Sequence, residues 1–239
     1  MARRREEIPG RTLERGAIEF LLRPRVEAFQ PEGLEDVQRL LIVLCPQGER
    51  LYRVIAIGRK KMPRNDRFWG FVDLVLLSPQ DLRAALGAQT YATKTRGMRH
   101  LPAALPAARG TYSLEWHDGH THLRWDVDVG PDVPLDSSGD AIVTVANPDP
   151  VAWGLLEMPP LQFDLFDEAE LHVTIPTPFP AELQSRFGDR RFTQLDTTEW
   201  LNHPGAELVF IPSSRARAEA RTLPDAARDL VASGDQRAG

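Results

Sequence analysis

The sequence predicts an α+β protein that is β-rich: a largely antiparallel sheet or partly closed barrel with short peripheral helices. Three observations predict it. Apolar runs of strand length recur through the first two thirds of the chain. Turn chemistry separates them, at Pro46-Gln47-Gly48-Glu49 and at Asp118-Gly119. Helix start and stop signals bracket only short stretches. With 239 residues, 42% apolar and 26% charged, the chain is long enough to bury a sizeable core.

Residues 1–16 read as a basic flexible tail, and a main β-rich domain spans 17–146. In 17–29, Ile18, Phe20 and Leu22 fall on one face and Glu19 and Arg23 on the other. Pro24 removes a ladder donor, which suits an edge or bulged strand. Residues 40–45 and 51–57 are apolar on both faces and flank a turn, so they form an antiparallel hairpin. A third strand of the same character covers 68–77. Residues 79–86 are a helix, with Ser78 as N-cap, Pro79 in the first turn, Asp81 near the positive end of the dipole and Gly87 as the stop. Residues 97–110, with Pro102 and Pro106, read as an extended connection.

A second hairpin joins 111–117 to 120–129 around Asp118-Gly119. Residues 141–146 are one more strand. A smaller Pro-rich α/β region, 147–212, packs on the main domain and carries seven prolines between 148 and 180. Within it, 181–187 is a short helix and 192–195 and 207–211 are short strands. Residues 213–239 are a weakly helical tail.

Two constellations carry chemical interest. Around the second hairpin, alternation places Glu115, His117, His120, His122 and Arg124 on one face and Tyr112, Leu114, Trp116, Leu123, Trp125 and Val127 on the other. Three imidazoles and a carboxylate are a donor set for a divalent metal such as zinc, with His117, His120, His122 and Glu115 as ligands and His100 or His172 as possible help from elsewhere. The same residues also fit a solvated polar face, or a histidine cluster that responds to pH.

The second constellation is basic: Arg53, then Arg59, Lys60, Lys61, Arg64 and Arg67, then Lys94, Arg96 and Arg99. Arginine binds phosphate oxygens bidentately, and Phe68 and Trp69 beside it have faces on which bases can stack. The charge is segregated. Residues 1–110 hold 20 Lys and Arg against 12 Asp and Glu, a net of +8, and residues 111–239 hold 9 against 22, a net of −13. Either the halves neutralise each other on folding, or the basic half faces an anionic partner.

No Walker-type loop, dinucleotide-binding glycine motif, H-E-x-x-H, G-x-S-x-G or C-x-x-C occurs, so the residues assign no reaction. The expectation is a non-enzymatic accessory or binding protein that engages nucleic acid, a phosphorylated ligand or an acidic protein surface through its basic loops. The alternatives are a metal-dependent hydrolase built on the histidines and a structural subunit whose halves pair between copies.

Cys45 stands alone in an apolar run, as a small buried hydrophobe does. No stretch is long and apolar enough to span a bilayer, and no signal core follows the charged start. The expected compartment is therefore the cytoplasm. Arginine outnumbers lysine 26 to three, the mark of a GC-rich, bacterial coding sequence.

Overall fold

Eleven strands, two short α-helices and one 3-10 turn make up the described residues, which are 10–28, 36–57, 68–117, 119–130, 136–149 and 179–213 of a computed structural model. The strands are β1 (Arg11–Pro24), β2 (Val37–Pro46), β3 (Tyr52–Ile57), β4 (Phe68–Leu76), β5 (Gln89–Thr93), β6 (Gly97–Leu101), β7 (Leu105–His117), β8 (His120–Val129), β9 (Ser138–Ala146), β10 (Phe192–Gln194) and β11 (Glu207–Pro212). The helices are α1 (Pro79–Leu86) and α2 (Ala181–Ser185), and the 3-10 turn is Thr198–Asn202.

Strands β9, β11, β4, β3, β2, β1, β7 and β8 neighbour one another in that order, and β8 pairs again with β9. Eight antiparallel strands therefore close into a barrel. The β-rich, largely antiparallel architecture with short helices is as expected, but closure is complete rather than partial and the helices are few, so the α+β class narrows to a closed β-barrel. The reason is β11, which inserts between β4 and β9 and leaves no open edge there. That strand belongs to the stretch expected as a separate smaller region, and its Leu208 and Phe210 share one core with Ile18, Ile42 and Leu123.

Several local expectations agree with the fold. Helix α1 has the expected bounds, and its first turn is capped by Ser78 Oγ, which accepts from the Asp81 amide at 3.1 Å. Such a cap contributes about 1 kcal/mol. The hairpins β2–β3 and β7–β8 have the expected turns, with His117 opposite His120 and Gly119 at φ 79°.

Other expectations are corrected. β1 begins at Arg11 rather than at 17, because its first residues are held by pairing with β7 despite their polar side chains, from Arg11 opposite Trp116 onward. The extended connection of 97–110 contains β6 and the start of β7, whose Pro and Ala residues carry no strand signature. Residues 1–9, most of the Pro-rich stretch (150–178) and 214–239 lie outside the described residues.

An eight-stranded barrel is just wide enough for side chains to fill its interior. Here Ile18, Phe20, Ile42, Leu44, Ile55, Tyr112, Leu114, Leu123, Val127 and Val143 fill it. The Trp125 ring lies over Gly139, where a Cβ would come within 2.0 Å of it, and meets Phe20 edge-on at 5.9 Å. Trp116 shares that face but is only half-buried near the hairpin tip.

One end of the barrel is plugged by α2 and the 3-10 turn. There Phe179, Leu183, Phe187, Leu195, Trp200 and Leu201 join the core, and Trp200 meets Phe179 edge-on at 4.9 Å. Thr121 Oγ1 donates to the Leu195 carbonyl and ties β8 to this plug. The β2–β3 and β7–β8 turns lie at the same end. At the opposite end lie Pro24, Val37, Ile57, Phe68, Leu105 and Val129, as the register of neighbouring strands requires.

Outside the barrel wall, Leu41, Val43, Val54 and Ala56 form a second core under Leu82 and Leu86 of α1. Arg23 closes that helix from below. Its guanidinium donates to the carbonyls of Ala85 (3.0 Å), Leu86 (3.2 Å), Gly87 (3.2 Å) and Pro102 (2.9 Å). The last carbonyls of a helix have no partners within it, and a cation there also suits the dipole.

Candidate functional site

The outer wall of β7–β8–β9 gathers the histidine constellation. Strand alternation brings Glu115 opposite His122 and His117 opposite His120, while β9 adds Asp140 beside Arg124. His122 Nδ1 lies 2.7 Å from Asp140 Oδ1. Arg124 donates to Glu115 and, at 3.4 Å, to Asp140. Ser113 Oγ donates to Glu115 at 3.1 Å. The imidazoles of His117 and His122 stack at 4.6 Å with planes 13° apart.

Burial pushes the Asp140 carboxyl upward. The hydrogen bond and charge of His122, with Arg124 beside it, outweigh that and hold it below the usual carboxylate range. The result is a charge-compensated network. Two stacked rings present their nitrogen lone pairs in parallel planes rather than toward one point. Glu115 is engaged by Arg124, and His122 keeps only Nε2. Among the described residues, no group of three His, Cys, Asp or Glu side chains is disposed to hold a metal ion. His120 is exposed at the tip and His100 sits elsewhere, its Nδ1 3.5 Å from Thr90 Oγ1. His172 lies outside the described residues.

An open depression on the same wall is lined by Arg15, Thr111, Ser113, Glu115, Arg124 and Asp126. Cys45 borders it, half-buried. Burial first, and the Glu19 charge second, push its thiol up to about 11, against a lowering by Arg109. It is a thiol rather than a thiolate at neutral pH, and so a poor nucleophile.

The basic constellation divides. Arg53 is not a surface group: it is 1% exposed and points into the barrel. Its Nη1 donates to both oxygens of Glu14 at 2.7 and 2.8 Å, and its Nε donates to Asn202 of the plug at 2.8 Å. Tyr112 donates to the same carboxylate at 2.6 Å. Burial, then that hydrogen bond, raise the Tyr112 hydroxyl above its ordinary range. Arg53, expected in the anion-binding set, instead shares the inward face with Ile55 and Ile57, and its partner Glu14 lies 39 residues away, so nothing local announces the inward turn.

Lys94 and Arg96 are exposed in the β5–β6 turn, and Arg99 lies 3.5 Å from Glu27. That hairpin is anchored at the end of the barrel opposite the plug, since the Glu27 amide just past β1 donates to the His100 carbonyl at 2.8 Å. Arg59, Lys60, Lys61, Arg64 and Arg67 lie outside the described residues. The strand ends that flank them, Ile57 and Phe68, are at this same end, away from the histidines. The Trp69 ring packs against Phe192 at 5.9 Å.

Two partners escaped the sequence. Asp140 meets its basic groups between the neighbouring strands β8 and β9, and Glu14 meets Arg53 inside the barrel with β2 between their strands; no local spacing signals either pairing. No helix among the described residues is long and apolar enough to cross a membrane. No protein-family model, no curated protein and no solved structure matches this chain.

Proposed function

We propose that this chain is a non-enzymatic binding protein of the bacterial cytoplasm. It engages an anionic partner, whether nucleic acid, phosphorylated ligand or acidic protein surface, through the basic loops at the end of the barrel opposite the plug. One observation carries the reading. The β5–β6 hairpin, anchored through His100 to Glu27 just past β1, holds Lys94 and Arg96 exposed in its turn. The wall with the histidines is the poorer candidate, because its carboxylates and cations already neutralise one another.

Binding of this kind weakens steeply with salt, since each neutralised phosphate releases counterions. Fluorescence anisotropy with single- and double-stranded oligonucleotides, polyphosphate and an acidic peptide tests it. At least one of these probes binds at low ionic strength, and the double substitution Lys94→Glu, Arg96→Glu weakens it about tenfold or more. Binding that is flat across the salt series, or unmoved by the double substitution, rejects the proposal.

A further inference from the structure

We infer that the outer edge of β5 takes up an extended, carboxylate-rich polypeptide segment as a third strand. The inference rests on the function proposed above and narrows its anionic partner to one chemistry.

The β5–β6 ribbon stands apart from the barrel as a sheet of two strands. Such a ribbon is marginal by itself and gains from a third strand. Its pairing is Thr90 opposite His100 and Ala92 opposite Met98. Both backbone groups of His100 are engaged away from β5: its carbonyl accepts from the Glu27 amide at 2.8 Å, and its amide donates to Glu27 Oε1 at 2.8 Å. Thr90–His100 is therefore a pair whose backbone groups face outward. In an antiparallel ladder that phase recurs every second residue, so Ala92–Met98 faces outward as well.

The edge of β6 is thus partly occupied by Glu27, whereas among the described residues that of β5 is open. Thr90 and Ala92 direct amide and carbonyl to the outside, are exposed, and have no backbone partner there among the described residues. Unpaired strand edges of this kind are templates for strand addition. Beside the edge, Met98 is 65% exposed and offers an apolar contact.

The charge selects the occupant. Residues 82–114 contain no Asp or Glu at all, yet include Arg83, Lys94, Arg96, Arg99 and Arg109. Arg99 is shared with Glu27 and Arg109 with Glu19, while Lys94 and Arg96 stand exposed in the turn that closes the ribbon, so a strand laid along β5 runs beside cations. Nucleic acid would satisfy the cations but lacks the alternating amides and carbonyls that this edge requires. An acidic peptide supplies both.

The experiment uses the full chain and four labelled probes: an alternating Glu-Val peptide, the same peptide N-methylated at every second residue, a Lys-Val peptide and single-stranded oligo-dT. The Glu-Val peptide binds at low salt, the Lys-Val peptide does not, and N-methylation costs at least about tenfold in affinity because it removes ladder donors without touching charge. The variant Ala92→Pro, which deletes an outward amide, weakens the Glu-Val peptide similarly and leaves oligo-dT unchanged. If that variant disturbs the hairpin, the methylated peptide carries the test alone.

Equal binding of the methylated and parent peptides overturns the inference, because charge alone would then suffice. Binding of oligo-dT without the Glu-Val peptide overturns it too but leaves the proposed function standing. Failure of every anionic probe removes both. A dimer seen by light scattering and lost in Ala92→Pro assigns the edge to a second copy of the chain and likewise overturns the inference.

Discussion

The barrel interior and its β7–β9 outer wall use the same chemistry, an arginine on carboxylates, with opposite consequences. Inside, Arg53 and Glu14 are 1% and 7% exposed at the side chain, and Tyr112 and Asn202 complete their hydrogen bonds. Outside, Arg124 is 45% exposed and bridges Glu115 and Asp140. Desolvation makes the inner group intolerant of losing one member, while water screens the outer one. The inner set also joins β1, β3, β7 and the plug, so it fixes tertiary structure. The outer set decorates three strands already joined by their ladders.

The largest expected effect tests the inner side. Arg53→Met strands the Glu14 carboxylate and destabilises the fold by about 3–5 kcal/mol in urea unfolding. Adding Glu14→Gln recovers much of that loss, and no recovery would remove the ion pair as the cause. Arg23→Met comes next at about 2–3 kcal/mol, because it leaves carbonyls at the end of α1 without donors. Hydrogen exchange should show the loss concentrated in α1. Arg124→Ala, by contrast, costs no more than about 1 kcal/mol, and less at high salt. A loss equal to that of Arg53→Met would erase the distinction between the two regions.

The smallest effects are in pH. Asp140 has a folded value below its unfolded one, so it stabilises above about pH 4 and that contribution is lost as pH falls toward the folded value. Asp140→Asn therefore lowers stability at neutral pH and flattens the acid limb of the unfolding curve. Tyr112 has a raised folded value, so its proton is retained in the fold after the unfolded hydroxyl has ionised. Stability falls as pH rises above about 10, and Tyr112→Phe removes that alkaline slope.

The legible parts of this protein are those governed by neighbours in sequence. Ser78, Pro79 and Asp81 define a helix start through amides within one turn. Gly119 lets the β7–β8 hairpin close, with His117 opposite His120, because it adopts a positive φ. Alternation across that hairpin correctly separated Leu114 and Leu123 from His117 and His120. The histidine site was only half visible: the residues, Arg124 among them, do share a face, but Asp140 from β9 engages both His122 and Arg124 and was not foreseen. The β5–β6 ribbon was missed because Gln89-Thr90-Tyr91-Ala92-Thr93 has too little apolar alternation to announce a strand.

By itself, the sequence determined where α1 and the β2–β3 and β7–β8 hairpins lie, which face of the second hairpin is apolar, and that basic residues crowd the first half. These follow from interactions spanning a few residues. Tertiary structure alone decided that the sheet closes, that Glu207–Pro212 supplies the closing strand, and that Arg53 turns inward while Lys94 and Arg96 remain in water. Each of those outcomes depends on strand pairings or buried partners far apart in the chain, and the energy that selects them exists only once the distant groups have met.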